Sequence, residues 1–135
     1  MKSLVDTALF LKRIELFREA RAEDLLRLAR LCEPATFRAG EVIFSRGEPP
    51  DALYLLEDGW VELRGRGGSA FLPAGSAFGG GLLAGAERAQ TAVAATDVSA
   101  LRLPGEALLE LLGANAALTV GLLRALAATL GERLI

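Results

Sequence analysis

From Thr36 to Leu103 the chain runs in short hydrophobic segments, each cut off by glycine, and this punctuation constrains the fold more than any other feature. Thr36-Phe37-Arg38, Glu41-Val42-Ile43-Phe44, Leu53-Tyr54-Leu55-Leu56 and Trp60-Val61-Glu62-Leu63 carry β-type residues or strict alternation. Ala70-Phe71-Leu72, Thr91-Ala92-Val93-Ala94 and Ser99-Ala100-Leu101-Arg102-Leu103 continue the series. The separators are turn signals: Ala39-Gly40, Gly47-Glu48-Pro49-Pro50, Asp58-Gly59 and Gly65-Arg66-Gly67-Gly68. Evenly spaced strands with glycine turns predict an antiparallel roll or barrel, and Asp58-Gly59 is the best hairpin signal among them.

Helical periodicity flanks this region. Ser3-Leu4-Val5-Asp6 reads as a capping box, with Val5, Leu9, Leu16, Phe10 and Phe17 as the apolar stripe that follows. A second helix is predicted from about Ala22 to Leu31, with Glu23 and Asp24 at its positive end and Pro34 stopping the chain beyond Cys32. Pro104 suits a first helical position, Gly113 a helix end, and Asn115 the cap of a last helix reaching Leu134. That last helix carries two apolar stripes: Leu118, Leu122 and Leu126 on one, and Leu123, Ala127, Leu130 and Leu134 on the other. The expected plan is a single domain over 1–135: N-terminal helices in 1–34, a β roll in 35–103 and C-terminal helices in 104–135.

Composition excludes several function classes. With no histidine among 135 residues, His-based triads and imidazole metal sites are ruled out. One cysteine, Cys32, permits no intramolecular disulfide and fits a reducing, cytoplasmic compartment. Fifteen basic against 17 acidic residues give a formal charge of −2, which argues against direct nucleic-acid binding. No apolar run reaches the length of a membrane span, so no membrane insertion is expected. Without histidine or a local carboxylate pair, no enzyme and no cofactor is read.

The residues resemble a known family. Gly40-Glu41-Val42-Ile43-Phe44…Gly47-Glu48…Asp51-Ala52-Leu53-Tyr54-Leu55-Leu56-Glu57-Asp58-Gly59…Val61-Glu62-Leu63 is similar to the first half of a cyclic-nucleotide-binding domain. That is the β-roll module of the catabolite activator protein, kinase regulatory subunits and cyclic-nucleotide-gated channels. Leu72-Pro73-Ala74-Gly75-Ser76-Ala77-Phe78-Gly79 resembles the approach to the family's phosphate-binding cassette, and Arg88, Thr91 to Val93 and Thr96-Asp97 resemble the strands leaving it. The resemblance implies a mainly β fold with flanking helices: an antiparallel, jelly-roll-like double-stranded β-helix, N-terminal helices and two C-terminal helices. It also implies a regulatory role with cAMP or cGMP as ligand, bound at Phe78, Gly79, Gly80, Gly81, Leu82, Arg88 and Ala89.

The cassette departs from the family pattern at three points. Gly80 stands where the family places a glutamate for the sugar 2′-hydroxyl. Arg88, the match to the phosphate arginine, arrives one residue early, and Ala89 lacks the hydroxyl often found after it. A hydrogen bond to a charged carboxylate is worth roughly 1.5–3 kcal/mol, so its loss weakens binding about 10- to 150-fold. A glycine-rich turn with Arg88 retains the means to hold a phosphate, and Glu87 is the nearby carboxylate able either to substitute or to neutralise Arg88. Two readings follow: a sensor of weak or no cyclic-nucleotide affinity that signals through its last helix, or a ligand-free docking or dimerisation module. The surplus apolar stripe predicts a homodimer through that helix, and the plan suits a piece of a larger multidomain protein.

Overall fold

The computed structural model describes residues 2–134 and divides into two compact units. The first comprises residues 1–31 and 107–135, the second residues 32–106.

In the first unit α1 (Leu4–Lys12) begins at the capping box. The Asp6 N–H donates to Ser3 Oγ at 3.1 Å, and the Ser3 N–H donates to Asp6 Oδ2 at 3.2 Å. The buried residues are Ala8, Leu11, Ile14 and Phe17, whereas Val5 and Leu9 are exposed. The stripe expected from Val5 and Leu9 therefore faces outward. The helix ends at Lys12 and a 3₁₀ turn covers Glu15–Phe17, so the buried set follows the three-residue repeat of the tighter turn. In α2 (Ala22–Leu31) Leu25, Leu28 and Ala29 are buried, and Leu31 is half-buried. Asp24 is buried too; it accepts from Arg27 Nη1 at 2.7 Å and from Asn115 Nδ2 at 2.6 Å.

The last two helices are α3 (Gly105–Ala114) and α4 (Ala116–Leu134), bent by 110° about Asn115. Asn115 caps α4, its Oδ1 accepting from the Leu118 N–H at 3.0 Å. Gly113 lies inside α3 and does not end it; Asn115 supplies the break instead. On α4, Leu118, Leu122 and Ala125 are buried, while Val120, Leu123, Leu126 and Leu130 are exposed. Leu126 thus belongs to the uncovered stripe; the Leu134 side chain falls outside the described ones. Among the described residues no single helix is long and apolar enough to cross a membrane.

The second unit is an antiparallel roll of eight strands among the described residues: β1 (Glu33–Phe37), β2 (Val42–Phe44), β3 (Ala52–Asp58), β4 (Val61–Gly65), β5 (Gly68–Leu72), β6 (Ala77–Phe78), β7 (Thr91–Ala94) and β8 (Val98–Pro104). They form two sheets, ordered β1-β8-β3-β6 and β2-β7-β4-β5. Pairs β4–β5, β3–β6, β2–β7 and β1–β8 nest inside one another, which is the jelly-roll plan. Pro34 falls within β1 and does not merely stop a helix. β1 is an edge strand, where a residue without an N–H costs no ladder bond.

Between the sheets lies a core of Phe44, Ala52, Tyr54, Leu56, Val61, Phe78, Ala92, Ala94, Val98 and Ala100. Its centre is aromatic: Tyr54 stacks on Phe78 at 5.4 Å and 16°, and Phe44 lies about 6 Å from both rings. The turn glycines Gly40, Gly47, Gly59 and Gly75 all have positive φ, as the turn assignment requires.

Candidate functional site

Local sequence builds the site from β6 onward. After Phe78 the chain turns at Gly79 with φ +87°, runs through a 3₁₀ turn over Gly80–Ala84 and leaves at Gly85 with φ +67°. Residues beyond it pair with the loop after β2. The Arg88 N–H donates to Glu48 O at 2.8 Å and the Gly47 N–H to Arg88 O at 2.8 Å. These two bonds fix Arg88 so that its side chain enters the roll.

Burial there is nearly complete: the Arg88 side chain is 1% exposed. Nη1 donates to Gly79 O at 2.9 Å, and Nη2 donates to Ala52 O at 2.7 Å and to Asp51 Oδ1 at 3.1 Å. The guanidinium carbon sits 4.1 Å from the Phe44 ring centroid, a cation–π contact in a dry setting. Nε is buried without a hydrogen-bond partner among the described residues. Gly79 is the residue that lets the guanidinium in, because a Cβ there would lie 2.6 Å from Nη1.

Asp51 links this cluster to β8. Its Oδ2 accepts from Arg102 Nη2 at 3.2 Å, and Arg102 also reaches Glu33 at 3.2 Å. Burial alone would raise the Asp51 carboxyl. The hydrogen bonds from Arg102 and Arg88 outweigh it and hold the group below its usual value. The carboxylate partner of Arg88 is therefore Asp51, 37 residues away, and not its neighbour Glu87. Sequence reasoning passed over Asp51 and Ala52; the available signal was a carboxylate at the start of the most apolar strand segment.

The other expected site residues separate. Phe78 is buried in the aromatic core beneath the cluster. A Cβ at Gly80 would meet nothing within 4 Å, whereas one at Gly81 would lie 3.4 Å from the Ala86 and Glu87 carbonyl oxygens. Leu82 is buried and packs near Gly105, where a Cβ would come within 2.7 Å of Leu82 Cδ1. Ala89 lines a recess of about 530 Å³ together with Leu63, Ser69, Ala70, Gln90, Arg46 and Arg66. The structure thus joins Gly79, Phe78 and Arg88 and sets Ala89 apart. Burial pushes the Cys32 thiol up to about 12, which leaves it protonated and unreactive. Among the described residues no cluster of Asp, Glu or Cys is placed to hold a metal ion.

Comparison with known proteins matches residues 34–115 to the cyclic nucleotide-binding domain family. A Rhodopseudomonas palustris protein bearing a potassium-channel name is 37% identical over 51 residues; the match covers 38% of this chain and 12% of that protein. The chain therefore spans about an eighth of the curated relative it matches. A solved Geobacter metallireducens protein designated as cyclic nucleotide-binding superposes with a TM-score of 0.81 at 28% identity, each chain covered in full. The regulatory domain of Toxoplasma gondii PKA, solved with cAMP, has the same fold: TM-score 0.78 at 20% identity over 96% of this chain and 50% of that one.

Proposed function

The chain belongs to the cyclic nucleotide-binding domain family, and from that premise we propose that it is a non-enzymatic sensory domain that binds a cyclic nucleotide weakly through Arg88 and signals through α4. We place it in a reducing, cytoplasmic setting as part of a larger protein, with no nucleic-acid contact of its own.

One observation carries this reading: the Arg88 guanidinium is buried at the glycine turn with its Nε unpartnered. A buried N–H without an acceptor is costly, and a phosphodiester oxygen is an acceptor that completes it with a charge-assisted bond. The affinity is low for two reasons. Asp51 already occupies one Nη2 hydrogen, and Gly80 offers no carboxylate to the sugar.

The test is calorimetric titration with cAMP and cGMP of the wild type and of Gly80→Glu. The space around Gly80 accepts a side chain, and its φ lies outside the left-handed region, so the variant should fold normally. Its affinity is expected to rise about 10- to 150-fold over wild type. An affinity unchanged by the new carboxylate would overturn the placement of the sugar, and no binding in either protein would overturn the ligand.

A second reading, a docking or dimerisation module without ligand, is favoured by the uncovered stripe Val120, Leu123, Leu126 and Leu130 on α4. Both readings use that stripe to pair with a second copy. Wild type is expected to scatter light as a dimer at tens of micromolar and Leu123→Glu/Leu130→Glu as a monomer. A monomeric wild type would remove the dimer and, with it, the helix pair as the route by which occupancy shifts the population of states.

A further inference from the structure

Four of the described strands lie at sheet edges: β1 and β6 in one sheet, β2 and β5 in the other. An edge presents unpaired backbone N–H and C=O groups, and proteins blunt it with charge, proline, a bulge or shortness. β1 carries Glu33 and Pro34, β6 has two residues, and β2 has three with an irregular register. β5, Gly68-Ser69-Ala70-Phe71-Leu72, has none of these protections. Its first four residues are exposed, Phe71 to 58%. We propose that the β5 edge docks an extended segment of a partner protein as a fifth, antiparallel strand, the segment carrying an apolar residue and, two positions later, an acidic one.

The backbone fixes where such a strand bonds. Gly65 and Gly68 pair across a two-residue turn, which makes them a hydrogen-bonded pair. Alternation then leaves Arg64–Ser69 and Glu62–Phe71 as the non-hydrogen-bonded pairs. The N–H and C=O of Ser69 and of Phe71 therefore point away from β4. An antiparallel newcomer continues a sheet whose other pairings are all antiparallel.

Side chains set the sequence it must carry. Val61 is buried, so Glu62 and Arg64, with their partners Phe71 and Ser69, lie on the outer face. A strand beside β5 places one residue next to Phe71 and, two positions on, another next to Ser69. The first meets an exposed aromatic ring and is apolar. The second lies beyond a small side chain, two strand spacings or about 10 Å from β4, within reach of Arg64. Arg64 is 57% exposed; its Nε and Nη2 hold Glu62 at 2.9 Å, and Nη1 has no partner among the described residues. Arg66 in the turn is likewise without a side-chain partner among them. Residues 61–72 thus hold two arginines against one glutamate, a charge that a carboxylate complements. A second copy of β5 supplies no carboxylate, which argues for a different chain.

The test is fluorescence anisotropy with a labelled octapeptide, Thr-Thr-Val-Thr-Glu-Thr-Thr-Gly, titrated to about 1 mM protein. Saturable binding is expected, about two- to fivefold weaker for the peptide with lysine in place of glutamate. Arg64→Ala/Arg66→Ala should erase that difference. Phe71→Pro should abolish binding at unchanged melting temperature, because the N–H it removes makes no bond to β4. Amide exchange in the wild type is the reading that needs no variant: bound peptide should slow Ser69 and Phe71. No saturable binding, equal binding by a folded Phe71→Pro, a preference for lysine, or protection confined to residues outside β5 would each overturn the proposal. Failure of the Arg88 reading leaves every one of these outcomes unchanged.

Discussion

Arg88→Met is expected to lower the unfolding free energy by about 3 kcal/mol, read as a fall in the urea midpoint at unchanged slope. The loss comes from the carbonyls more than from the ion pair. Gly79 O and Ala52 O both lose their donor, at about 1–3 kcal/mol each, and Phe44 loses a desolvated cation worth about 2 kcal/mol. Relief from burying a charge returns part of that sum, and methionine keeps the volume filled. Asp51→Asn gives the contrast. That carboxylate is 63% exposed, so its removal should change stability by less than about 1 kcal/mol. Equal losses from the two variants would mean that the ion pair, not the carbonyl bonds, holds the arginine.

Gly59→Ala should cost about 3 kcal/mol by the same measurement. Gly59 has φ +95°, which disfavours any side chain, and a Cβ would fall onto the Asp97 carbonyl and within 2.9 Å of Thr96 Oγ1. Neither neighbour is free to yield. Thr96 Oγ1 accepts from the Trp60 N–H at 3.0 Å and donates to Asp97 O at 2.9 Å, so the clash would open the turn between β3 and β4. Gly40→Ala separates the two effects. It has a similar φ but open space around the site, and should lose only the conformational part, about 1 kcal/mol. A Gly59→Ala loss no larger than that of Gly40→Ala would show that Asp97 moves aside.

The features legible in the sequence were those that local chemistry settles. Ser3 with Asp6, Asn115 before α4 and the turn glycines each answer a need within a few residues of themselves. What escaped depends on distant partners. The Ala77–Phe78 strand is too short to show alternation, and exists because β3 pairs with it. Pro34 and Gly113 read locally as breakers. An edge strand tolerates the first, and a helix that continues to Ala114 absorbs the second. The sequence singles out Arg88, but not the partner the structure gives it. The sequence offers Glu87 next door, and only the nesting of β3 within the roll brings up Asp51.

That nesting also sets the order in which the roll can assemble. The innermost pair, β4–β5, needs a two-residue turn and is available as soon as Leu72 is made, whereas Glu33 of β1 meets Arg102 of β8 across 69 positions. At about 5–20 residues per second of translation, β1 waits about 3–14 s for its mate to be synthesised. The outer pairs carry the greatest loop-closure entropy and belong to the slow, high-contact-order regime of β folds. Throughout that interval β1 is a strand without a sheet on a nascent chain, the condition in which strands join the wrong neighbour. Its sequence, Glu33-Pro34-Ala35-Thr36-Phe37, opens with a charge and a residue that has no N–H to give. The strand that waits longest is thus poorly suited to pairing with another chain before its own partner arrives.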